Sequence, residues 1–216
     1  MRFQAERQCV VEISRKLADR GYFAATGGNL ALRIDDEHMA VTPSATDYQR
    51  MLATDVCVLR LDDLRKVEGD RKPSVETGMH AQVLRARRDC HASVHTHQPA
   101  ASACTLLGKA LVVDDQRRVL LGAEVPVVGY APSGTSWLSN KLRRALRPDV
   151  NAYLLRTHGA ICCGASIEAA LQAIVALEAL AQEQLRARIA ARASTNLALQ
   201  HLLATLDDHP VQDLHA

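Results

Sequence analysis

Ala92-Ser93-Val94-His95-Thr96-His97 is an apolar, strand-like run that ends in two histidines one residue apart. Successive side chains of a β-strand alternate faces, so His95 and His97 point the same way. Two neutral imidazoles side by side form half of a site for Zn²⁺ or a neighbouring transition metal. A third histidine of the same character closes a distant apolar run, in Arg156-Thr157-His158-Gly159. A single histidine is more often a hydrogen-bonded structural residue, and His91 and His201 are read that way. The strand-end pair with the distant His-Gly is read as a metal site.

Outward from that run, the chain alternates short strands with helices. A helix over residues 4–20 stops at Gly21, which suits a left-handed cap. Strand-like pieces at 29–34 and 38–42 are separated by Asp35-Asp36-Glu37, and a third at 56–61 leads into a polar hairpin-like stretch through Gly69-Asp70. Pro73-Ser74 is expected to open a helix running to about residue 87. After the His95 strand come a helix over 99–107, a strand over 125–130, a helix from Gly134-Thr135 to about 146, and a strand over 152–157. From Ser166 a long helix repeats apolar residues at three-and-four spacing, from Ile167 through Ala181. A last helix covers about 194–206. This order predicts a central sheet covered by helices on both faces, mixed or antiparallel rather than doubly wound.

Composition narrows the function classes. The 216 residues are 48% hydrophobic and 23% charged, ordinary for a globular protein. No linker, repeat or low-complexity tract divides them, so residues 1–216 are expected to form one domain with a helical tail from about 192. A net charge of +2, with arginines scattered and no interleaved aromatics, argues against nucleic acid. The N-terminus lacks an apolar signal region, and no apolar run approaches the roughly 20 residues a membrane span needs. The chain is therefore read as cytoplasmic. Its six cysteines lie mostly in apolar segments without a CxxC pair, which points to buried free thiols. Cys162-Cys163 on a strand would face opposite ways, against a thiolate metal site.

Three further clusters bear on chemistry. Thr26-Gly27-Gly28-Asn29 is a glycine turn followed by an amide, suited to backbone N–H groups around an anion, or equally to a helix-to-strand turn. Thr42-Pro43-Ser44 offers hydroxyls after a strand. Lys72-Pro73-Ser74-Val75-Glu76 puts a carboxylate in the first turn of the expected helix, where the dipole favours it. Glu76 with His80 could equally be a surface pair at i, i+4.

Taken together, TGGNLALR (26–33), VTPS (41–44), KPSVETGMH (72–80), VHTH (94–97), YAPSGT (130–135) and RTHGAICCG (156–164) resemble the class II aldolase/adducin family. The likeness covers about residues 4–186 and points most towards fuculose-phosphate-aldolase-like proteins. It implies a three-layer α/β/α sandwich around a mixed, largely antiparallel sheet, and a cyclic homotetramer with active sites between neighbouring subunits. It implies His95, His97 and His158 as ligands of Zn²⁺, or of another divalent metal such as Mn²⁺ or Co²⁺. Glu76 then matches the acid–base residue, and Gly28, Asn29, Ser44 and Ser74 the phosphate-binding loops.

The implied activity is metal-dependent retro-aldol cleavage of a sugar phosphate or related hydroxy-ketone. Cleavage leaves an enediolate, whose charge a three-ligand metal with an open position can stabilise. Glu76 would move the proton on or off its carbon. Decarboxylation of an oxo acid needs the same stabilised enolate, and epimerases and dehydratases on sugar phosphates belong to the same family. A non-catalytic, adducin-like assembly module is disfavoured by four convergent ligand-type residues.

Departures from the family pattern fall where a substrate would be gripped. Ala45 follows Thr42-Pro43-Ser44, Val75 replaces a second serine before Glu76, and Asn29 is followed by Leu30-Ala31. No tyrosine stands near Val113-Asp114, and no aromatic in 201–216. Val75 removes a hydroxyl donor where phosphate oxygens would sit. This predicts an unphosphorylated, carboxylate-bearing or less polar substrate. Trp137 is expected to pack at a subunit contact rather than on substrate.

Overall fold

The computed structural model describes residues 2–23, 27–193 and 196–207. Helix α1 (Gln4–Asp19) ends before Gly21, whose φ of +69° is left-handed as expected. Strands β1 (Asn29–Arg33), β2 (His38–Val41), β3 (Cys57–Arg60) and β4 (Lys66–Glu68) form an antiparallel meander. Helix α2 (Thr77–Ala86) leads to β5 (Ala92–Thr96) and α3 (Pro99–Thr105). Then follow β6 (Leu111–Val112), α4 (Arg118–Leu121), β7 (Glu124–Val125), β8 (Val127–Val128) and α5 (Ser136–Ala145). The chain continues through β9 (Ala152–Leu155), β10 (Gly159–Gly164), α6 (Ile167–Ala193) and α7 (Leu197–Asp207).

The main sheet has the order β4-β3-β2-β1-β5-β10-β9-β8, and every pairing is antiparallel except β8 with β9. The expected mixed, largely antiparallel sheet is therefore present, with helices on both faces. Alternation along each strand divides the core. Leu30, Val94, Leu154 and Cys162 pack with Val10 and Leu17 of α1 and with Ile174 and Leu177 of α6. On the opposite face Tyr153, Ile161 and Cys163 pack with Met79 of α2 and Leu138 and Leu142 of α5. Cys162 and Cys163 thus do face opposite ways, and all six cysteines are free thiols. No helix among the described residues is long and apolar enough to cross a membrane.

Two expected elements differ, and the main sheet holds one strand more. Pro73 and Ser74 do not open α2: Ser44 N–H donates to Lys72 O, and Ser74 N–H to Thr42 O. These bonds hold the segment extended, so α2 begins at Thr77 and Glu76 becomes its N-cap residue rather than part of its first turn. The expected strand over 125–130 is two strands parted by Pro126, which has no N–H for a continuous ladder. Its first part, β7, pairs with β6 in a separate two-stranded sheet, and its second, β8, joins the main sheet. Residues after His158 form β10, a strand between β5 and β9 that the sequence reading left unassigned.

Candidate active site

Strand β5 is flanked by β1 and β10, and this neighbourhood assembles the site. The register sets Asn29 of β1 and Ile161 of β10 opposite His95. Ala92 and Val94 enter the core beneath α6, whereas Ser93 and His95 turn to the face that α2 covers. His97 follows the end of β5, and His158 sits in the tight turn between β9 and β10, where its N–H donates to Leu155 O. Thr157 before it holds φ +58°, a left-handed conformation uncommon for a β-branched residue. At Gly159 an added Cβ would lie 2.5 Å from Thr96 O and 2.8 Å from His97 Cδ2, so the close approach of β10 to β5 requires glycine.

His95, His97 and His158 converge, each offering one ligand atom within 4.8 Å of the others. Their ring centroids are 4.6–5.2 Å apart. His95 is fully buried, and its Nδ1 lies 2.8 Å from Ala160 O. A carbonyl only accepts, so Nδ1 carries the proton and Nε2 presents a lone pair to the cluster. Burial pushes His95 and His97 below the ordinary histidine range, which keeps both imidazoles neutral. His158 Nδ1 is buried without a hydrogen-bond partner among the described residues. Neutral imidazoles, a committed tautomer and an adjacent carboxylate suit a borderline-soft divalent cation.

Glu76 stands against this cluster. Its Oε2 lies 3.4 Å from His95 Nε2, and its Oε1 3.3 Å from His158 Nε2. Asn29 Nδ2 donates to Oε2 across 2.8 Å, and Ser133 Oγ donates to Oε1 across 2.7 Å. Burial opposes ionisation, but the hydrogen bonds from Asn29 and Ser133 favour the charged form, and the carboxyl is held below its usual range. The surface pair of Glu76 with His80 is absent. His80 is buried and hydrogen-bonded to Asn29 instead.

The loop residues lie close by. Gly28 has φ +82°, and a Cβ there would strike the Phe23 ring, while its carbonyl accepts from the Tyr48 hydroxyl. Thr26 lies outside the described residues, as does the chain from 208. Ser44 and Ser74 sit on facing segments joined by the Pro43–Pro73 bridge. Ser74 Oγ accepts from Glu76 N–H. Val75, between them and Glu76, is 67% exposed, and Gly134 lies against it with room for no more than a tight Cβ contact. The sequence singles out His80 only as a surface partner of Glu76, and gives Ser133 no role. Ser133 lies within the quoted YAPSGT motif, but nothing local says that its hydroxyl reaches back 57 residues to Glu76.

The family model described as "Class II Aldolase and Adducin N-terminal domain" matches residues 8–185. The 5-deoxy-D-ribulose 1-phosphate aldolase of Bacillus thuringiensis serovar kurstaki is 33% identical over 183 residues, 84% of this chain and 85% of that protein. The methylthioribulose-1-phosphate dehydratase of Methylococcus capsulatus is 31% identical over 189 residues, 82% of this chain and 92% of that protein. A solved L-fuculose 1-phosphate aldolase superposes with a TM-score of 0.78 at 24% identity, covering 94% of this chain and 96% of its own. That likeness shows a shared fold. With the match running from α1 into α6 and spanning every residue of the cluster, this chain belongs to the class II aldolase and adducin N-terminal domain family.

Proposed function

We propose that the protein is a metal-dependent aldehyde-lyase that cleaves a carbon–carbon bond of a sugar phosphate or related hydroxy-ketone by a retro-aldol route. The observation that carries this reading is a buried Glu76 whose two oxygens are 3.3–3.4 Å from two histidines of a three-histidine cluster. His95, His97 and His158 would hold the divalent ion, Zn²⁺ or another such as Mn²⁺ or Co²⁺. When bound, the ion supplies Lewis-acid polarisation of the substrate's oxygens.

The rest is the work of the chain's own groups. Glu76 moves a proton to or from the carbon that bears the broken bond. Each carboxylate oxygen accepts from one donor and keeps a second lone pair, so Glu76 can take a proton with both bonds in place. Asn29 comes from a strand and is buried, whereas Ser133 sits on the loop before α5 with a freely rotating hydroxyl. Gly28, Asn29, Ser44 and Ser74 would grip the phosphate or the polar end that replaces it.

The named activities of the relatives, a 5-deoxyribulose phosphate aldolase and a methylthioribulose phosphate dehydratase, support a substrate with a phosphorylated and a less polar end. Val75 supports a second reading, decarboxylation of an oxo acid with the same residues, since its side chain offers no hydrogen bond to a phosphate. We also propose a homotetramer. Trp137 supports it, being 56% exposed beneath the Lys141 ammonium, a large apolar surface for a neighbouring subunit. Six free thiols support a cytoplasmic setting.

The test is proton exchange. Zn²⁺-loaded protein is given dihydroxyacetone phosphate in D₂O, and loss of the C3 proton signal is followed by NMR. Exchange is expected, with a drop of roughly 10²–10⁴-fold in Glu76→Ala and metal content unchanged. An inert, folded, metal-loaded protein would remove this donor, and CO₂ release from oxo acids would then establish the second reading.

A further inference from the structure

Beneath the cluster, between the sheet and α2, runs a line of buried hydrogen bonds whose far part, at His80 and Ser93, the chemistry above does not use. Ser93 Oγ of β5 lies 2.8 Å from His80 Nδ1, and His80 Nε2 of α2 lies 2.7 Å from Asn29 Oδ1 of β1. Asn29 Nδ2 then donates across 2.8 Å to Glu76 Oε2. His80 and Ser93 are 0% exposed, so no bulk water competes for these groups.

The direction of every bond follows from the carboxylate end. An ionised carboxylate only accepts, so Asn29 turns its NH₂ to Glu76 and its carbonyl to His80. That carbonyl also only accepts, so His80 carries its proton on Nε2. A neutral imidazole then accepts at Nδ1, and Ser93 donates there. Burial keeps His80 neutral by pushing it down to about 4. The weak point of this line is the asparagine. Without a donor behind it, the buried Oδ1 would be unsatisfied, and a half-turn of the amide would set a carbonyl against the Glu76 carboxylate.

We propose that His80 is a positioning residue: its Nε2–H, backed by Ser93, locks the Asn29 amide so that an N–H is always aimed at Glu76. The proposal rests on the reading of Glu76 as the acid–base group. It assigns to His80 a role at one remove from the substrate, which it does not touch.

Two variants separate this role from packing. His80→Leu fills the space but donates nothing, whereas His80→Gln keeps an N–H₂ for Asn29 Oδ1. In the Zn²⁺-loaded protein, kcat for dihydroxyacetone phosphate exchange is expected to fall about tenfold or more in His80→Leu, the scale of one lost buried hydrogen bond. Metal content should stay close to wild type, any change in KM should be smaller than the fall in kcat, and His80→Gln should recover most of the loss. Equal losses in both variants, or none in His80→Leu, would overturn the proposal. A long-range ¹H–¹⁵N spectrum, with His80→Gln to assign the ring, reads the line without any turnover. A proton on Nε2, and Asn29 side-chain amide signals that move in His80→Leu, would support it. A proton on Nδ1, or Asn29 signals unmoved, would overturn it even if the wild type proves inert and the reading of Glu76 fails.

Discussion

Thr157 holds a left-handed backbone so that the next residue, His158, can turn back over β5. An L-residue in that conformation gives up about 1–2 kcal/mol, least for asparagine, whose short amide can bond locally. Thr157→Asn is therefore expected to raise the urea midpoint by the equivalent of up to about 1 kcal/mol with metal affinity retained. An unchanged or lower midpoint would mean that losing the Thr157 hydroxyl's bond to Arg156 O, at 2.7 Å, offsets the relief of strain. The same scale marks how far the site was legible. His95, His97 and His158 could be read because a strand's period of two and a terminal His-Gly are local patterns. Glu76 could be picked out as a carboxylate beside a helix start, but its true partners could not. Asn29 and Ser133 reach it from 47 and 57 residues away, and no local pattern carries that contact.

Among the elements, the β5–β10 pair governs the cluster, and Gly159 sets their separation. An added methyl would meet backbone Thr96 O at 2.5 Å and the ring of His97 at 2.8 Å, and the backbone oxygen cannot swing aside as a flexible side chain could. Gly159→Ala should therefore spread β10 from β5 and pull His158 away from His95 and His97. Metal affinity is expected to fall roughly 10–100-fold, as when the surroundings of a ligating histidine are disturbed. Competition with a chromophoric chelator measures this, and affinity within twofold of wild type would show that the turn absorbs the methyl. A second element restrains the other side of His97. Glu178 of α6 accepts from the N–H groups of Ala100 and Ala101, and Gln98 donates to Ile174 O, so the start of α3 is tied to α6. Helices α1, α5 and α6 were legible because periodicity and caps are written within them. The start of α2 was not, because the pairing of 72–74 with 42–44 overrides the helix preference of Pro73-Ser74. Strand β10 escaped notice because Ala160-Ile-Cys-Cys163 is buried on both faces and shows no alternation.

At the scale of the whole molecule, the sheet was legible as mixed or antiparallel from its meander-like early strands, between residues 29 and 61, which no helix separates. Its order was not, because β5 lies between β1 and β10, strands about 60 residues away on either side, and only tertiary packing decides such neighbours. That assembly has an energetic consequence for pH. It encloses His80 completely, and burial lowers its proton affinity to a pKa of about 4, while in the unfolded chain it titrates near 6.5. Between those values the unfolded state binds a proton that the native state refuses, so acid favours unfolding. The contribution of His80 is fully present above pH 6.5 and is lost as pH falls towards 4, with a slope of up to about 1.4 kcal/mol per pH unit. Glutamine binds no proton, so His80→Gln should remove that slope while keeping a donor to Asn29. Urea unfolding of the chelator-treated protein at a series of pH values from 7.5 to 4 checks this. The variant's stability should fall less steeply than the wild type's below pH 6.5 and run parallel to it above. Parallel curves throughout would mean that His80 is protonated in the native state, with its Nδ1–H donated to Ser93.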